Sequence, residues 1–186
     1  MTQDATELVV AAGGGVYVAD AATAEPVLDD VLTGSWSELG YITTDGVRPS
    51  ATKDTEDIEA WQSFYPLRKL VTGIDLDIAF DLMQWNAETV PFAFGGGVID
   101  EVETGIFRFT PADPGVLDER ALVVRWQDGD TNGQMYVPRG VITGNSEFTL
   151  SKDANANLPV AFSATPASNS EKWLLQSDSE AWEPAS

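Results

Sequence analysis

Residues 127–134, "QDGDTNGQ", place Asp128, Asp130 and Asn132 at alternate positions before a glycine. This spacing matches the first half of a calcium-binding loop, whose last position needs a glutamate that holds the ion with both oxygens. That position is Arg139, and the proline before it disfavours the helix that should follow. The strand-like runs on either side predict a β-hairpin turn, with weak opportunistic cation binding as the minor alternative.

Enzymatic groups are scarce in this chain, which contains no Cys and no His. Thiolate nucleophiles, zinc sites built on Cys or His and imidazole bases are therefore excluded, and no Ser lies in a G-x-S-x-G elbow. Asp75 and Asp77 are about 7 Å apart if they share a strand face, which fits a carboxylate-based glycosidase, but any alternating acidic strand gives that spacing. We predict a protein that is not an enzyme, with no catalytic residues, metal or cofactor.

The charge balance bears on partners, since 10 Lys and Arg face 30 Asp and Glu for a net charge of −20. Binding to a phosphate backbone depends on cations that displace counterions, so a protein that grips DNA is disfavoured. The same charge also fits simple solubility or a salt-loving host. A protein that meets DNA without holding it stays compatible with this composition.

The length of 186 residues predicts a single domain, 1–186. We expect a flexible N-terminal arm of about residues 1–12 and an acidic C-terminal arm of about residues 177–186, loose unless Trp182 docks. The first residues have no basic region before their apolar run, and no apolar stretch reaches about 20 residues. The sequence therefore predicts neither a secretory signal nor a membrane contact.

The clearest periodic pattern is "IDLDIAFDL", residues 74–82. Its period of two predicts a strand with one buried and one hydrated face. Aspartates that share a strand face repel one another, so their face must be wet. The predicted buried residues are Ile74, Leu76, Ile78, Phe80 and Leu82, and the opposite face carries Asp75, Asp77, Ala79 and Asp81.

A projecting loop or long hairpin is predicted before that strand. Residues 49–60 are polar and acidic, and they lead into Trp61, Phe64, Tyr65 and Arg68. Aromatic residues beside an Arg are typical anchors of protein interfaces, although aromatic residues in strands are as often core.

One helix is predicted within "QWNAETVPFAFGGG", residues 84–97. Asn86 is the expected N-cap, Glu88 lies in the first turn, and the glycines from Gly95 supply the stop. Pro91 implies a late start or a bend.

The rest of the chain is predicted to form short strands separated by turn residues. Together the elements indicate a mainly β fold, an antiparallel β-sandwich or barrel with one flanking α-helix and a long projecting loop. The predicted strands and strand-turn segments are "VYVA", "WSELGYITTDGV", "GIFRFTP", "RALVVRW", "QMYVPRGVI", "EFTLS" and "LPVAFSAT".

The order of several short segments resembles the major tail tube protein of long-tailed, siphovirus-type bacteriophages, particularly those infecting actinobacteria. The resemblance covers about residues 30–165 and rests on the succession of its elements. The segments are "WSELGYITTDGV", "DIEAWQSFYPLRKLVTG", "WNAETVPFAFGGG", "DPGVLDERALVVRWQDGD" and "VPRGVIT".

The resemblance implies a structural virion protein whose hexameric rings stack into a hollow tube for DNA ejection. Inner strands would join around each ring into a β-barrel that lines the lumen, with Asp75, Asp77 and Asp81 as lumen-facing candidates. An acidic lumen repels phosphate and lets DNA slide. The loop from about Asp45 to Leu70 would reach the adjacent ring, with inter-subunit anchors at Trp61, Phe64, Tyr65 and Arg68.

The implied partners are further copies of the chain, the tail tip or baseplate, the tail terminator, a tape measure protein inside the tube and DNA in transient passage. The implied location is the virion tail, after assembly in the host cytoplasm. Two alternatives stay open, namely a tube subunit of a contractile tail or type VI-like secretion system, and a monomeric β-sandwich binding module.

Overall fold

The computed structural model describes residues 8–113, 115–144, 147–166 and 173–183. Within these residues the fold is mainly antiparallel β, with one short α-helix and a 3₁₀ helix at Glu180–Trp182. No helix in the described ranges has the length and hydropathy of a membrane span. The elements are β1 (Gly13–Asp20), β2 (Ser37–Glu38), β3 (Arg48–Ile58), β4 (Arg68–Leu82), α1 (Thr89–Ala93), β5 (Gly97–Glu103), β6 (Ile106–Pro111), β7 (Arg120–Asp128), β8 (Thr131–Ile142), β9 (Leu158–Ala164) and β10 (Leu174–Ser177).

Eight of these strands form one hydrogen-bonded sheet in the order β2-β1-β7-β8-β9-β4-β3, with β10 also paired to β8. The first part of β8 pairs with β7 and β10, whereas its end, Gly140–Ile142, pairs with β9. Apolar side chains from both parts of the sheet belong to one core cluster. The sheet therefore folds over on itself as an open β-sandwich, with a first half-sheet (β2, β1, β7, early β8, β10) and a second half-sheet (late β8, β9, β4, β3).

The core is densest on the second half-sheet, where the predicted alternation of β4 is confirmed at four positions. Leu76, Ile78, Phe80 and Leu82 are at most 2% exposed. Ile74 is 42% exposed, contrary to prediction, because it lies beyond Leu76, where β4 leaves the buried core cluster. The strand thus passes from a packed half into an uncovered half.

The predicted helix exists but is short, and of the two expectations raised by Pro91 the late start is confirmed, at Thr89. Asn86 accepts the backbone N–H groups of Glu88 and Thr89, so it closes a turn just before α1. Glu88 is therefore the N-cap residue and not part of the first turn. Pro91 lies in the first turn, where a missing N–H costs little. Gly95, with φ of +73°, ends the helix as predicted.

Four other strand assignments differ from prediction or were missed. "EFTLS", residues 147–151, forms no strand, because Phe148 instead packs edge-on against Trp85 with ring centroids 4.9 Å apart. β5 and β10 were not predicted as strands, and β3 was predicted only as part of a projecting loop or long hairpin. Each lies at a sheet margin or in the separate β5–β6 hairpin, where one-sided burial does not impose a period of two.

The hairpin prediction for residues 127–134 is confirmed, since β7 and β8 pair from Asp128↔Thr131 onward around a two-residue turn. Gly129 in that turn has φ of +60°, which explains the glycine. The carboxylate of Asp128 accepts the backbone N–H of Val10 at 2.6 Å. Asp128 therefore has a structural role in holding the N-terminal segment.

Both chain ends continue past the described residues. Residues 1–7 of the predicted N-terminal arm and 184–186 of the predicted C-terminal arm lie outside them. Asp178, at the start of the C-terminal arm, accepts the backbone N–H of Asn132 at 2.7 Å and its side-chain amide at 3.1 Å. Trp182 is 50% exposed.

The segment between β1 and β2, residues 21–36, crosses the outer face of the first half-sheet, and we call it the strap. Arg125 donates to the carbonyls of Val27 and Asp30, and Gln134, which is fully buried, donates to the carbonyl of Pro26. The Tyr136 hydroxyl donates to the Thr23 carbonyl at 2.6 Å. These bonds satisfy donors that the strap itself covers.

Burial raises the pKa of the Tyr136 hydroxyl, with a smaller contribution from Glu25. Burial also raises the pKa of Tyr17 on the same face, and it lowers the pKa of Arg125. A tyrosine whose folded pKa is raised favours the folded state below the ordinary value of about 10 and loses that contribution as the pH rises through the folded pKa. The strap is therefore an alkali-sensitive part of the fold.

We predict that unfolding free energy falls as pH rises above about 10, and that Tyr136→Phe weakens this dependence. At pH 8 the variant should lose about 1–2 kcal/mol, because the Thr23 carbonyl loses its donor. Urea unfolding of the wild type and the variant at pH 8 and at a pH above about 10 measures both effects. Tyr65→Phe, which changes an exposed tyrosine, is the control. An unchanged alkaline slope in Tyr136→Phe would contradict the assignment.

Candidate assembly surfaces

The most prominent surface feature is the hairpin formed by β3 and the first part of β4. The two strands pair from Arg48↔Ala79 to Ile58↔Arg68, with one irregularity between Asp54 and Thr55. Every residue of β3 is exposed. The predicted projecting element is therefore a hairpin of paired strands and not an irregular loop.

The hairpin tip, residues 59–67, carries the predicted aromatic anchors. Trp61 and Phe64 are essentially fully exposed, at 99% and 105%, and Tyr65 is 81% exposed. Leu67, which the sequence reasoning missed, is 64% exposed beside them, and Arg68 follows at the first position of β4. The structure thus brings the predicted residues together at one end of the hairpin, where their apolar side chains are exposed and do not pack into the core.

Local hydrogen bonds define the shape of this tip. The Ser63 hydroxyl donates to the Tyr65 carbonyl at 2.8 Å and lies 3.2 Å from the Tyr65 N–H, which donates back to it. The Leu67 N–H donates to the Ile58 carbonyl at 2.8 Å and closes the hairpin. The aromatic side chains are therefore displayed on an ordered turn, which lowers the entropy lost when they bind.

The same hairpin presents one free strand edge. β3 is the last strand of the sheet, so one side of its 11 residues has no strand partner in the described structure. Unpaired strand edges are templates for pairing with another chain, and soluble proteins usually shorten or cover them. A long free edge therefore indicates pairing with a further strand.

The predicted acidic residues lie on the outward face of β4. Asp75 and Asp77 are exposed, and the register places Thr52 and Ser50 of β3 opposite them. Asp81 differs, since its side chain is 26% exposed and lies 3.4 Å from the Arg48 guanidinium. The outward face of β4 is therefore polar and acidic at Asp75 and Asp77, and Arg48 partly neutralises its charge at Asp81.

A second apolar surface was missed by the sequence reasoning. The separate β5–β6 hairpin exposes Val98, Ile106 and Phe107, at 58%, 52% and 67%. Phe109 of this hairpin contacts Phe94 at the end of α1, with ring centroids 5.5 Å apart, and so attaches the hairpin to the end of the helix. The signal in the sequence was the alternation in "GIFRFTP", which predicts a strand but not its separation from the main sheet.

The described residues contain no group of three or more acidic side chains close enough to hold a metal ion. An open β-sandwich with projecting hairpins and long free edges is typical of structural proteins that assemble with other chains. The sequence model of the family described as "Phage tail tube protein" matches residues 1–185, and the chain therefore belongs to the phage tail tube protein family. It is a structural, non-enzymatic subunit of a phage tail tube.

Among solved structures, the chain is similar to one titled "Virion of native gene transfer agent (GTA) particle". The sequence identity is 12%, the match covers 89% of this chain and 96% of that chain, and the TM-score is 0.40. At this TM-score the similarity adds nothing to the assignment. Comparison with curated protein sequences gives no match.

We predict that the double variant Trp61→Ala and Phe64→Ala keeps its unfolding free energy within about 0.5 kcal/mol, since neither side chain is buried in the monomer. The same variant should form shorter and less stable tubes. Urea unfolding and electron microscopy measure the two properties. Phe80→Ala, at a fully buried position, is the control and should lose about 3–5 kcal/mol. Unchanged tube length and stability would contradict the anchor role.

Proposed function

We propose that this chain forms hexameric rings that stack into the tail tube of a siphovirus-type phage of actinobacteria, and that DNA passes through the tube during ejection. Membership of the phage tail tube protein family establishes that the chain is a tail tube subunit. The observation that carries the proposal is the exposed β3–β4 hairpin, which combines a free edge, an acidic face and an aromatic tip. The hexameric order and the host group rest on the resemblance noted in the sequence.

Rings form when the free edge of β3 pairs with a strand of the next subunit. Backbone N–H and C=O groups along β3 gain partners in this arrangement, and an edge that favours aggregation in the monomer becomes internal. The short β2, with two residues, offers far less pairing at the other end of the sheet. Closure around the ring removes the long free edges, as in any β-barrel.

The outward face of β4 lines the lumen in this arrangement. Asp75 and Asp77, beside the neutral Thr52 and Ser50, give the inner wall negative charge. DNA phosphates are repelled by such a wall, so the duplex has no deep binding sites along its path. Asp81 contributes less than its two neighbours because Arg48 lies beside it.

Rings stack through the hairpin tip, where Trp61, Phe64 and Tyr65 provide apolar anchors and Arg68 provides a cation. Buried aromatic and arginine side chains dominate the binding energy of most interfaces. Tube growth starts on the tail tip complex and ends at the tail terminator, around a tape measure protein that occupies the lumen until ejection. Assembly takes place in the host cytoplasm, and the finished tube is part of the virion tail.

Negative-stain electron microscopy of the purified chain at increasing concentration, with and without the tail tip complex of the same phage, tests the proposal. Rings with six-fold symmetry and hollow tubes are the expected result. A chain that stays monomeric with the tail tip present would overturn it. A tube that recruits a contractile sheath would instead assign the chain to a contractile tail.

We predict that Asp75→Lys with Asp77→Lys leaves tubes intact but slows DNA ejection several-fold, because lysines in the wall attract phosphate. The effect should shrink as salt concentration rises, since salt screens this attraction. Ejection from variant virions is followed with a DNA-binding dye. Asp29→Lys with Asp153→Lys changes the net charge equally away from this face and serves as control. Normal ejection kinetics in the first variant would remove the lumen assignment.

A further inference from the structure

An open apolar groove of about 580 Å³ lies at the end of the sandwich opposite the hairpin tip. Gly13, Gly14 and Gly15 line it, and its polar lining residues are Thr43, Thr44 and Arg125. This volume lies in the range of sites that enclose a compact apolar group with few polar contacts. The apolar side chains of the lining include Val9, Ile42, Val124, Trp126, Met135 and Leu175.

Groove and tip lie at opposite ends of the same strand. The groove lining includes Pro49 near the start of β3, whereas the tip begins after Ile58 at its end. Nine residues of extended strand separate these positions by about 30 Å. Because β3 is paired with β4 along this length, the tip of one chain does not fold back into its own groove.

A projection at one end and a groove at the other define a head-to-tail contact. When two different patches of one chain bind each other, the contact repeats from copy to copy and builds an open stack. A tube subunit needs a contact of this type along the tube axis. The tip supplies exposed aromatic side chains, and the groove supplies an apolar surface that water covers poorly.

Charge also favours a second copy as the occupant. The whole chain carries −20, so two copies repel each other. Residues 48–69, the segment that would enter the groove of a second copy, have no net charge, because their four basic residues balance four acidic ones. The basic residues are Arg48, Lys53, Arg68 and Lys69, and the acidic residues are Asp54, Glu56, Asp57 and Glu59.

One ion pair is available at the rim. Lys69 is paired with Asp57 at 2.7 Å within the hairpin, whereas Arg68 has no ion-pair partner among the described residues. Asp45 is exposed at the groove, between the lining residues Thr44 and Gly46. A tip seated in the groove of another copy brings Arg68 toward this carboxylate and supports one orientation of the aromatic side chains.

We propose that the groove is the receptor for the hairpin tip of a second copy, with Phe64 and Trp61 seated against Trp126 and Met135. This contact rests on the proposed stacking of rings and specifies which surface of the next ring receives the tip. It sets an axial repeat on the order of the hairpin's length, since tip and groove are about 30 Å apart along β3.

Cysteine cross-linking tests this contact cleanly, because the chain has no cysteine of its own. Gln62→Cys, in the tip but outside the proposed aromatic anchors, is mixed with Thr44→Cys, assembled on the tail tip complex and oxidised mildly. Both positions are exposed, so neither change disturbs the core. The matched control replaces Thr44→Cys by Thr33→Cys, an exposed threonine on the strap.

The expected result is a disulfide-linked dimer of Gln62→Cys with Thr44→Cys, at least five-fold more abundant than with the control. Equal yields would overturn the docking site. A dominant Gln62→Cys homodimer would mean that tips meet tips, which would also overturn it. Efficient linkage within one Thr6→Cys and Thr44→Cys chain would mean that the chain's own first residues occupy the groove.

Microscopy of the same samples separates this inference from the proposed function. Tubes without the cross-link leave the tail tube assignment standing and reject the groove as receptor. The cross-link in samples without rings or tubes supports the contact and rejects the proposed assembly. Absence of both, with the tail tip present, rejects both.

Discussion

One strand that serves two half-sheets is the constraint on which the rest of the structure depends. β8 pairs with β7 and β10 in its first part and with β9 at its end. The two half-sheets are therefore joined, and can pack on each other, only through the point where β8 changes partner. Gly140 lies at this crossing. A Cβ there would lie 2.4 Å from the Phe162 ring and 2.6 Å from the Ser163 carbonyl oxygen, which leaves room only for glycine. Phe162 in turn stacks on Phe92 of α1, which ties the helix to the same point.

The same closure explains why the hairpin projects. β9 is short and pairs with β4 only from Asp77 to Leu82, so the sandwich ends while β4 and β3 continue. Before Leu76, the described residues of β4 contribute nothing to the buried core, and neither does β3. An exposed strand edge and an apolar tip favour association with other chains, which is the role that we propose for them in the tube.

Much of the fold was predictable because burial leaves a period in the sequence. Leu76, Phe80 and their neighbours revealed β4, and the turn at Gly129 revealed the β7–β8 hairpin. β3 could not be found this way, since both of its faces are exposed and its residues are mostly polar. The pairing of Arg48 with Asp81 joins residues 33 positions apart and depends on the strand register. The sequence left two alternatives for Trp61 and Phe64, exposed interface anchors or buried core residues, because an aromatic side chain suits either environment. Their exposure is known only from the structure.

The strap has a consequence for how this sequence can diverge. It is held by its own main-chain oxygens at Thr23, Pro26, Val27 and Asp30, while the side chains that bind them belong to the sheet. Carbonyl groups are the same in every residue, so these hydrogen bonds do not depend on the identity of the strap's side chains, and Val31 is 83% exposed. Among the strap's side chains, Trp36 packs edge-on against Tyr136, with ring centroids 6.3 Å apart. Exposed strap positions such as Val31 can therefore change, and with them the surface that the strap presents, as long as Trp36, Arg125, Gln134 and Tyr136 are kept.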